Sequence, residues 1–462
     1  MLPYQWSAGR AIAVILVEAA NFMSNQGLSN IELREAWPLL SISDRVEGFS
    51  MLSRAESEEL FDALDAREQS ELILNLPPGE RRIWMRLLAP DDAADVIQEA
   101  EEEDRATLLA LLDEPTRKEV LALLAYAEDE AGGLMSPRFA RLRPDMTVDA
   151  AISYLRRQRA EQIETIYYAY VLDNQQHLQG VVSLRDLVTA PTEKLVRDVM
   201  RADVISVREQ TDQEDVSHLF AEHDLTAIPV VDEAGRMKGI VTVDDIVDVV
   251  REEATEDMQK IGAAAALDAP YLQVGRVQML RKRAGWLALL VLLEFLSVLA
   301  MRHFDYALSQ AVVLALFVPL IISCGGNTGS QAATLVVRAM ALDEVRLRDW
   351  WRVVWRELAI GLGLGCVLGA VALATTFAWQ AFLVDRTGEH HVAVALAVGC
   401  SIVAIGIWGT LAGSMLPFVL RAFGFDPAHA SAPLVATLMD ASGLVIYFTI
   451  AGLLLRGILF SA

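Results

Sequence analysis

One carboxylate stands inside the last long apolar run of the chain: Asp440, within Pro433 to Leu455, reading PLVATLMDASGLVIYFTIAGLLL. A run of that length and composition reads as a membrane-spanning helix. A carboxylate at membrane depth costs roughly 3 kcal/mol on insertion scales, so it belongs on a water-filled path or against a partner and not toward lipid. At helical spacing its face carries Pro433, Ala436, Thr437, Gly443, Leu444 and Tyr447, so its neighbours are mostly small. Small neighbours leave room for a hydrated cation, and they also suit close helix packing. Glu294 and Glu357 are further acids in or beside apolar runs.

A second polar stretch at membrane depth is Cys324-Gly325-Gly326-Asn327-Thr328-Gly329-Ser330-Gln331, which with Pro319 predicts an interrupted span. Irregular backbone is tolerated there only when buried in protein or lining a cavity. No strand precedes the glycines and no Lys-Ser or Lys-Thr follows, which excludes a nucleotide P-loop. A third concentration of chemistry lies on the helical pattern from Asp244 to Leu267, where Asp244, Asp245, Asp248, Glu252, Glu253, Glu256 and Asp257 crowd together. Like charges three and four residues apart destabilise a helix unless cations sit between them. The density favours a cation-loaded face.

The elements that must position these residues follow from composition. The chain has 462 residues, is 53% apolar and carries a net charge of −23. Only ten of its 62 acids but 13 of its 39 bases lie from Tyr271 onward, leaving 52 acids against 26 bases in residues 1 to 270. So acidic a portion repels nucleic acid and attracts divalent cations, which excludes nucleic-acid binding as a function class. Cys324, Cys366 and Cys400 lie in apolar runs without metal-ligand spacing and read as small buried hydrophobes. The apolar patch Ala11 to Val17 is too short for a span and lacks the flanks of a signal peptide, so it reads as a helix of an N-terminal extension, residues 1–44.

Residues 45–131 show helical periodicity broken at Leu76-Pro77-Pro78-Gly79, Ala89-Pro90-Asp91-Asp92 and Asp113-Glu114-Pro115, the pattern of an all-α superhelical stack of short helices. Leu108 to Leu112 and Val120 to Leu124 supply its buried faces, and Glu99, Glu101, Glu102, Glu103 and Asp104 an acidic outer edge. An internal repeat follows, in which Gly180, Ser183 and Asp186 recur as Gly239, Thr242 and Asp245 at constant spacing. Each copy reads as strand, turn, strand and a helix N-capped by Ser or Thr, with a further helix upstream near Val148 to Arg157 and Gln213 to Glu222. These residues resemble an α/β tandem of cystathionine-beta-synthase-type (CBS) domains over 134–251. That resemblance implies a regulatory pair, with Ser183 and Asp186 beside the phosphate and ribose of ATP or another adenine nucleotide. Residues 252–270 continue as a connecting helix.

Residues 271–462 supply an α-helical domain of five candidate spans, near Gly285 to Met301, Ala311 to Val337, Leu358 to Val384, Val392 to Leu420 and Pro433 to Leu455. Arg276, Arg281, Lys282 and Arg283 precede the first, and Arg338, Arg346, Arg348, Arg352 and Arg356 lie between the second and third. Basic flanks mark the cytoplasmic side, so the acidic domains are expected in the cytoplasm and the C-terminus outside.

In this order, the acidic helical domain, the CBS pair, the acidic connecting helix, GGNTGSQ in the second span and PLVATLMDASGLVIYF in the fifth resemble the MgtE family of magnesium transporters over about residues 45–460. The resemblance implies a homodimeric Mg²⁺ channel in the bacterial inner (plasma) membrane, in contact with lipid, with its pore at the dimer interface. Cytosolic Mg²⁺ filling sites between the acidic domains and the connecting, or plug, helix is implied to close it. It implies Asp440 as the pore carboxylate, Ala436 one turn before it, and Gly325, Gly326 and Asn327 beside the path. It implies regulatory metal ligands at Asp212, Glu214 and Asp224, at Asp245, Asp248, Glu253, Glu256 and Asp257, and at Asp95 in the helical domain. Ala432 departs from the family pattern, because some members carry a carboxamide there. Mg²⁺ sheds water reluctantly, so one carboxylate with small neighbours suits a hydrated ion.

No His-Glu-x-x-His occurs and Asp440 has no second intramembrane aspartate, which argues against a protease; Glu389-His390-His391 lies in an expected outer loop. The acids argue against an anion channel. A broader divalent-cation transporter, carrying Co²⁺ or Mn²⁺, and a non-conducting cation sensor stay open.

Overall fold

A computed structural model describes residues 30–158, 163–267, 271, 274–305, 312–383 and 391–456. The patch Ala11 to Val17 and residues Glu389 and His390 lie outside them. The chain divides into two compact units, Met1–Val250 and Arg251–Ala462.

The first unit begins with eight short helices, Asn30–Ala36, Ile42–Met51, Arg54–Asp62, Ala66–Asn75, Pro78–Met85, Pro90–Gln98, Glu102–Leu111 and Glu114–Leu123. Their starts are written locally. Ser41, Ser53, Asp65 and Asp113 each accept a backbone N–H of the turn they open, and such caps are each worth about 1 kcal/mol. Pro78, Pro90 and Pro115 stand in first turns, where a missing N–H costs nothing. Leu33 and Trp37, from the segment expected as an extension, are buried in the same core as Phe49, Phe61 and Trp84. Phe49 meets Trp84 edge-on at 4.8 Å.

The repeat folds as two three-stranded sheets of identical topology. In the first, β1 (Arg141–Leu142) pairs parallel with β2 (Tyr168–Leu172), and β2 antiparallel with β3 (Leu178–Ser183). In the second, β4 (Val207–Arg208), β5 (Ala227–Val231) and β6 (Met237–Thr242) repeat that order. Even the register irregularity recurs, at Val171/Leu172 and at Val230/Val231. The repeated glycines allow close backbone approach: a Cβ on Gly180 would lie 2.7 Å from the Arg201 carbonyl oxygen, and one on Gly239 2.8 Å from that of Ser136. Helices Val148–Leu155 and Gln213–His223 stand at the expected places. The second copy shares its core with the helical domain through Phe220, Ile228, Val241 and Ile246, whereas the first copy closes a core of its own around Val148, Val171, Val182 and Leu187. Val243–Ile261 then forms the connecting helix, with Ile246 and Val249 buried. It ends at Gly262 and a left-handed Ala263, earlier than the expected 270.

In the second unit five helices are long and apolar enough to cross a membrane: Arg276–His303, Val312–Ala341, Leu347–Ala378, Val392–Ala422 and Ala432–Leu454. They are the first to fifth spans below. The expected break at Cys324 to Gln331 is corrected, because Val318–Ala341 is one continuous α-helix, whereas near Pro319 the span does change: a 3-10 segment, Val312–Phe317, gives way to the α-helix, with Pro319 in its first turn. The glycines serve packing instead of breaking the helix. A Cβ on Gly329 would lie 2.8 Å from Val435 Cγ1 and 3.2 Å from the Gly409 carbonyl oxygen, so bare backbone lets the second, fourth and fifth spans touch. With backbone bonds closed inside the helix, no irregular segment has to be sheltered from lipid. Cys366 and Cys400, expected buried, lie on exposed faces of the third and fourth spans. Large apolar side chains such as Leu292, Phe295, Leu299 and Val367 are also exposed, as suits lipid-facing surface.

Candidate functional site

Asp440 is half-buried near the middle of the fifth span, and Ala436 one turn earlier is half-buried beside it. The second span meets this face through its glycines. A Cβ on Gly326 would touch the Ala436 Cβ at 3.5 Å, and one on Gly325 would lie 3.0 Å from Ile405 Cγ2 and 3.5 Å from Met439 Cβ. On the other side of Asp440, the direction a Cβ of Gly443 would take is open for 4 Å. Asn327 is exposed on the same turn of the second span, its Nδ2 donating to Ser323 Oγ at 3.4 Å. The structure therefore brings Ala436, one turn from Asp440, against Gly326, and turns Gly325 toward Met439 and Ile405, with Asn327 exposed on the same turn. At Ala432 the only polar group is the backbone, and its carbonyl accepts from Ser330 Oγ at 3.0 Å. Tyr447 anchors the far half of the span by donating its hydroxyl to the Leu314 carbonyl at 3.0 Å. Asp440 also has a carboxyl neighbour, Glu294 of the first span, in hydrogen-bond contact with it.

A second acidic centre lies in the first unit. Asp91, Asp92 and Asp95 start the helix Pro90–Gln98 and interact electrostatically with Asp244 and Asp245 at the start of the connecting helix. Asp91 is only 7% exposed, and its Oδ1 finds no hydrogen-bond partner among the described residues. Burial, then the negative charges of Asp92, Glu164 and Asp245, push Asp91 well above the ordinary carboxylate range. Crowding by protein followed by Asp92 and Asp245 raises Asp95 to about 7. Asp92 rises to about 6 through desolvation, Glu164 and Asp244. Asp245 rises to about 7 through burial, Asp244 and Asp92, although Thr242 Oγ1 donates to it at 2.7 Å. Asp92 and Asp95 each keep a solvent-exposed edge, so water moderates this repulsion. The sequence pointed to Asp95 and Asp245 but not to Asp91, Asp92 or Glu164. Ala89-Pro90-Asp91-Asp92 looked like turn punctuation, and only packing of the helical domain on the second CBS copy turns it into a cation-seeking edge.

The other expected metal ligands are dispersed. Asp212 caps the helix Gln213–His223 by accepting the Glu214 N–H at 2.8 Å, and Asp224 ends that helix in a left-handed conformation. Eleven helical residues separate them, about 18 Å along the axis. Asp248 is exposed, and Glu253, Glu256 and Asp257 are half-buried. In the second unit Lys260 Nζ donates to Asp426 Oδ2 at 2.7 Å and meets Glu256 Oε1 at 2.8 Å. Burial works against the lysine charge, but these two carboxylates raise its pKa overall. Asp257 is pushed up to about 6 by burial and by Asp426, with Lys260 offsetting part. Asp426 escaped the sequence reading because it sits in the short connection before the fifth span, outside every acidic run. No group of three or more His, Cys, Asp or Glu side chains stands ready to hold a metal among the described residues. What the chain offers is pairs and rows of carboxylates, suited to weakly held hydrated ions.

Ser183 and Asp186 form a local unit. Ser183 Oγ accepts the Asp186 N–H at 3.0 Å and donates to Asp186 Oδ2 at 2.7 Å, capping the helix Leu184–Thr189.

Comparison with known proteins bears on this arrangement. The MgtE family, described as divalent cation transporter, matches residues 318–450; the MgtE intracellular N domain matches 28–129, and the CBS domain matches 131–193 and 196–252. The magnesium transporter MgtE of Thermus thermophilus is 44% identical over 333 residues, 72% of each chain. That of Enterococcus faecalis is 34% identical over 72% of this chain and 71% of its own, and that of Bacillus subtilis 36% over 71% and 70%. Among solved structures, the cytosolic domain of the Mg²⁺ channel MgtE in complex with ATP is 44% identical, covers 48% of this chain and 90% of its own, and has a TM-score of 0.45. The soluble part of a magnesium transporter is 30% identical, covering 54% and 100%, with a TM-score of 0.39. With relatives this similar over more than two thirds of their length, the chain belongs to the MgtE family of magnesium transporters.

Proposed function

We propose that two copies of this chain form a Mg²⁺-selective channel in the bacterial inner (plasma) membrane, surrounded by lipid and gated by cytosolic Mg²⁺. The observation that carries the reading is Asp440, a half-buried carboxylate within an apolar span, one turn from Ala436, which itself meets Gly326, and with open space at Gly443. Basic residues ahead of the first span and between the second and third support acidic domains in the cytoplasm and, with five crossings, a C-terminus outside. In the pore Asp440 holds a hydrated ion, and Ala436, Asn327, Gly325 and Gly326 leave it room to pass. A carboxylate that grips through water ranks divalent cations by charge before identity, so Co²⁺ and Mn²⁺ compete with Mg²⁺. Asp440→Asn, folded and dimeric, should lose Mg²⁺ flux in proteoliposomes, and Ala436→Leu should block it by volume. Undiminished flux in the folded Asp440→Asn variant removes this reading.

Closure needs many sites. Swinging a two-state gate from 1:99 to 99:1 takes about 5.5 kcal/mol, whereas one closed-state site half-filled with ion supplies about 0.4 kcal/mol. Rows of acids meet that requirement: Asp95 with Asp245, then Asp212, Glu214, Asp224, Asp248, Glu253, Glu256 and Asp257. Each loses repulsion from its neighbours as Mg²⁺ binds. ATP or another adenine nucleotide binds the CBS pair at Ser183 and Asp186, a hydroxyl and carboxylate held together at a strand-to-helix junction, and strengthens closure. Mg²⁺ must then strengthen nucleotide binding in return. Calorimetry that finds no nucleotide binding with or without Mg²⁺ removes that part.

A further inference from the structure

The carboxyl of Glu294 in the first span is in hydrogen-bond contact with that of Asp440 in the fifth, and both residues are half-buried. Nothing in the packing of the first span calls for an acid there. Its neighbours Val291, Leu292, Phe295 and Leu296 are exposed apolar side chains, the surface a lipid-facing helix needs. An acid at that depth is retained for a partner or a path. Ser297 lies one turn along on the same face of the helix. It is 6% exposed, and its Oγ finds no hydrogen-bond partner among the described residues. One face of the first span thus presents a carboxyl in contact with Asp440 and, beside it, a buried hydroxyl with bonding capacity unspent.

We infer that Glu294 is a second ion-facing carboxylate of the conduction site, so that each protomer meets a hydrated divalent cation with two acids from two spans, Asp440 and Glu294, and with the Ser297 hydroxyl bonding the ion's water. This rests on the reading of Asp440 as the pore carboxylate and deepens it. Without an ion the two carboxyl groups can stay in contact by sharing a proton; once both are ionised they repel unless a cation lies between or beside them, and a dication neutralises the pair where a monovalent ion leaves net charge behind. Two carboxylates are too few to strip Mg²⁺ of its water, so the ion keeps most of its shell and can leave again. Glu294 therefore sets affinity and the preference for divalent over monovalent ions, while Asp440 stays indispensable for flux.

The test uses the full-length dimer in proteoliposomes, measuring Mg²⁺ flux against Mg²⁺ concentration and the ratio of Mg²⁺ to Na⁺ flux. Glu294→Gln keeps the size and hydrogen-bonding reach of the side chain and removes its charge. It should raise the half-saturating Mg²⁺ concentration roughly tenfold and lower the Mg²⁺ to Na⁺ ratio by a similar factor, the effect of losing one nearby charge. Glu294→Asp, with the charge kept, should recover most of both. If Glu294 only holds the Asp440 side chain in place, glutamine serves as well as glutamate; wild-type affinity and ion ratio in a folded Glu294→Gln dimer overturn the inference. Should Glu294→Gln fail to assemble, Glu294→Ala is read instead: a folded Glu294→Ala dimer with wild-type affinity and ion ratio also overturns it, and Ser297→Ala with both unchanged removes the part given to the hydroxyl. Asp440→Asn separates the two readings. Its full activity sinks the pore assignment itself, whereas its inactivity beside an unaltered Glu294→Gln sinks only the role given to Glu294.

Discussion

The two CBS copies are built to one local plan and placed in different company. In the first, Ser183 donates to Asp186 at 2.7 Å; in the second, Thr242 donates to Asp245 at the same distance. Both follow a β-hairpin with the same irregularity and the same glycine, and both open a helix. The first copy, however, closes its own core, whereas the second shares one with the helical domain. That shared packing brings Asp92 and Asp95 to Asp245 and pushes Asp245 up to about 7, burial being the larger cause. One motif thus yields a helix cap in one place and a candidate cation sensor in the other. The difference teaches that charge chemistry here belongs to the contact and not to the motif.

The largest expected effect breaks the comparison at the scale of the whole gate. If the acids around Asp245 and along the connecting helix are what Mg²⁺ loads, trypsin cleavage near Arg251 and Lys260 should fall steeply through the millimolar Mg²⁺ range as current is lost. Cleavage that stays flat while current closes would falsify the gate.

A smaller effect sharpens the contrast between copies. Asp245→Asn should stabilise the metal-free second copy and shrink the stabilisation that Mg²⁺ adds, whereas Asp186→Asn should leave the Mg²⁺ response unchanged; hydrogen exchange in β5 and β6 against β2 and β3 reads both. The pH dependence has a definite sign. Asp95 and Asp245 sit near 7 in the fold against an ordinary 3.8, so the native state binds more protons than the unfolded chain across that window. The contribution of these two acids to metal-free stability is therefore fullest below about 4 and is lost as pH rises through about 7. Protection by Mg²⁺ should grow from pH 6 to pH 8 in the wild type and be flatter in Asp245→Asn. Equal responses in the two variants would show that the tertiary contact adds nothing to the motif.

The smallest effect tests what the copies share. Ser183→Ala removes a helix-capping hydroxyl and Thr242→Ala a hydroxyl that donates to the Asp245 carboxyl, and each should cost about 1 kcal/mol of stability without Mg²⁺, measured by urea unfolding of the full chain. A much larger loss in the first copy alone would mean that its Ser183 does more than cap.

What was legible beforehand was what periodicity and local chemistry carry. Helix boundaries at Pro78, Pro90 and Pro115, the helices from Val148 and Gln213, the strand pairs of the repeat, five apolar runs and the lone acid Asp440 are all written within a few residues of themselves, because turns, pleats and helical faces are interactions of near neighbours. The second span shows where local reading misled: Gly325-Gly326-Asn327 signals a break, yet the α-helix runs through, since helices crossing on bare backbone repay the glycines with packing, whereas Pro319 does mark the change from a 3-10 segment to the α-helix. Tertiary structure alone decided that Asp91 and Asp92 join Asp245, that Lys260 reaches Asp426 and that Glu294 meets Asp440. Those residues stand tens to hundreds of positions apart in the chain. The energy that joins them comes from burying the apolar surfaces beneath, and a charge pattern read along the chain holds no record of which surfaces will meet.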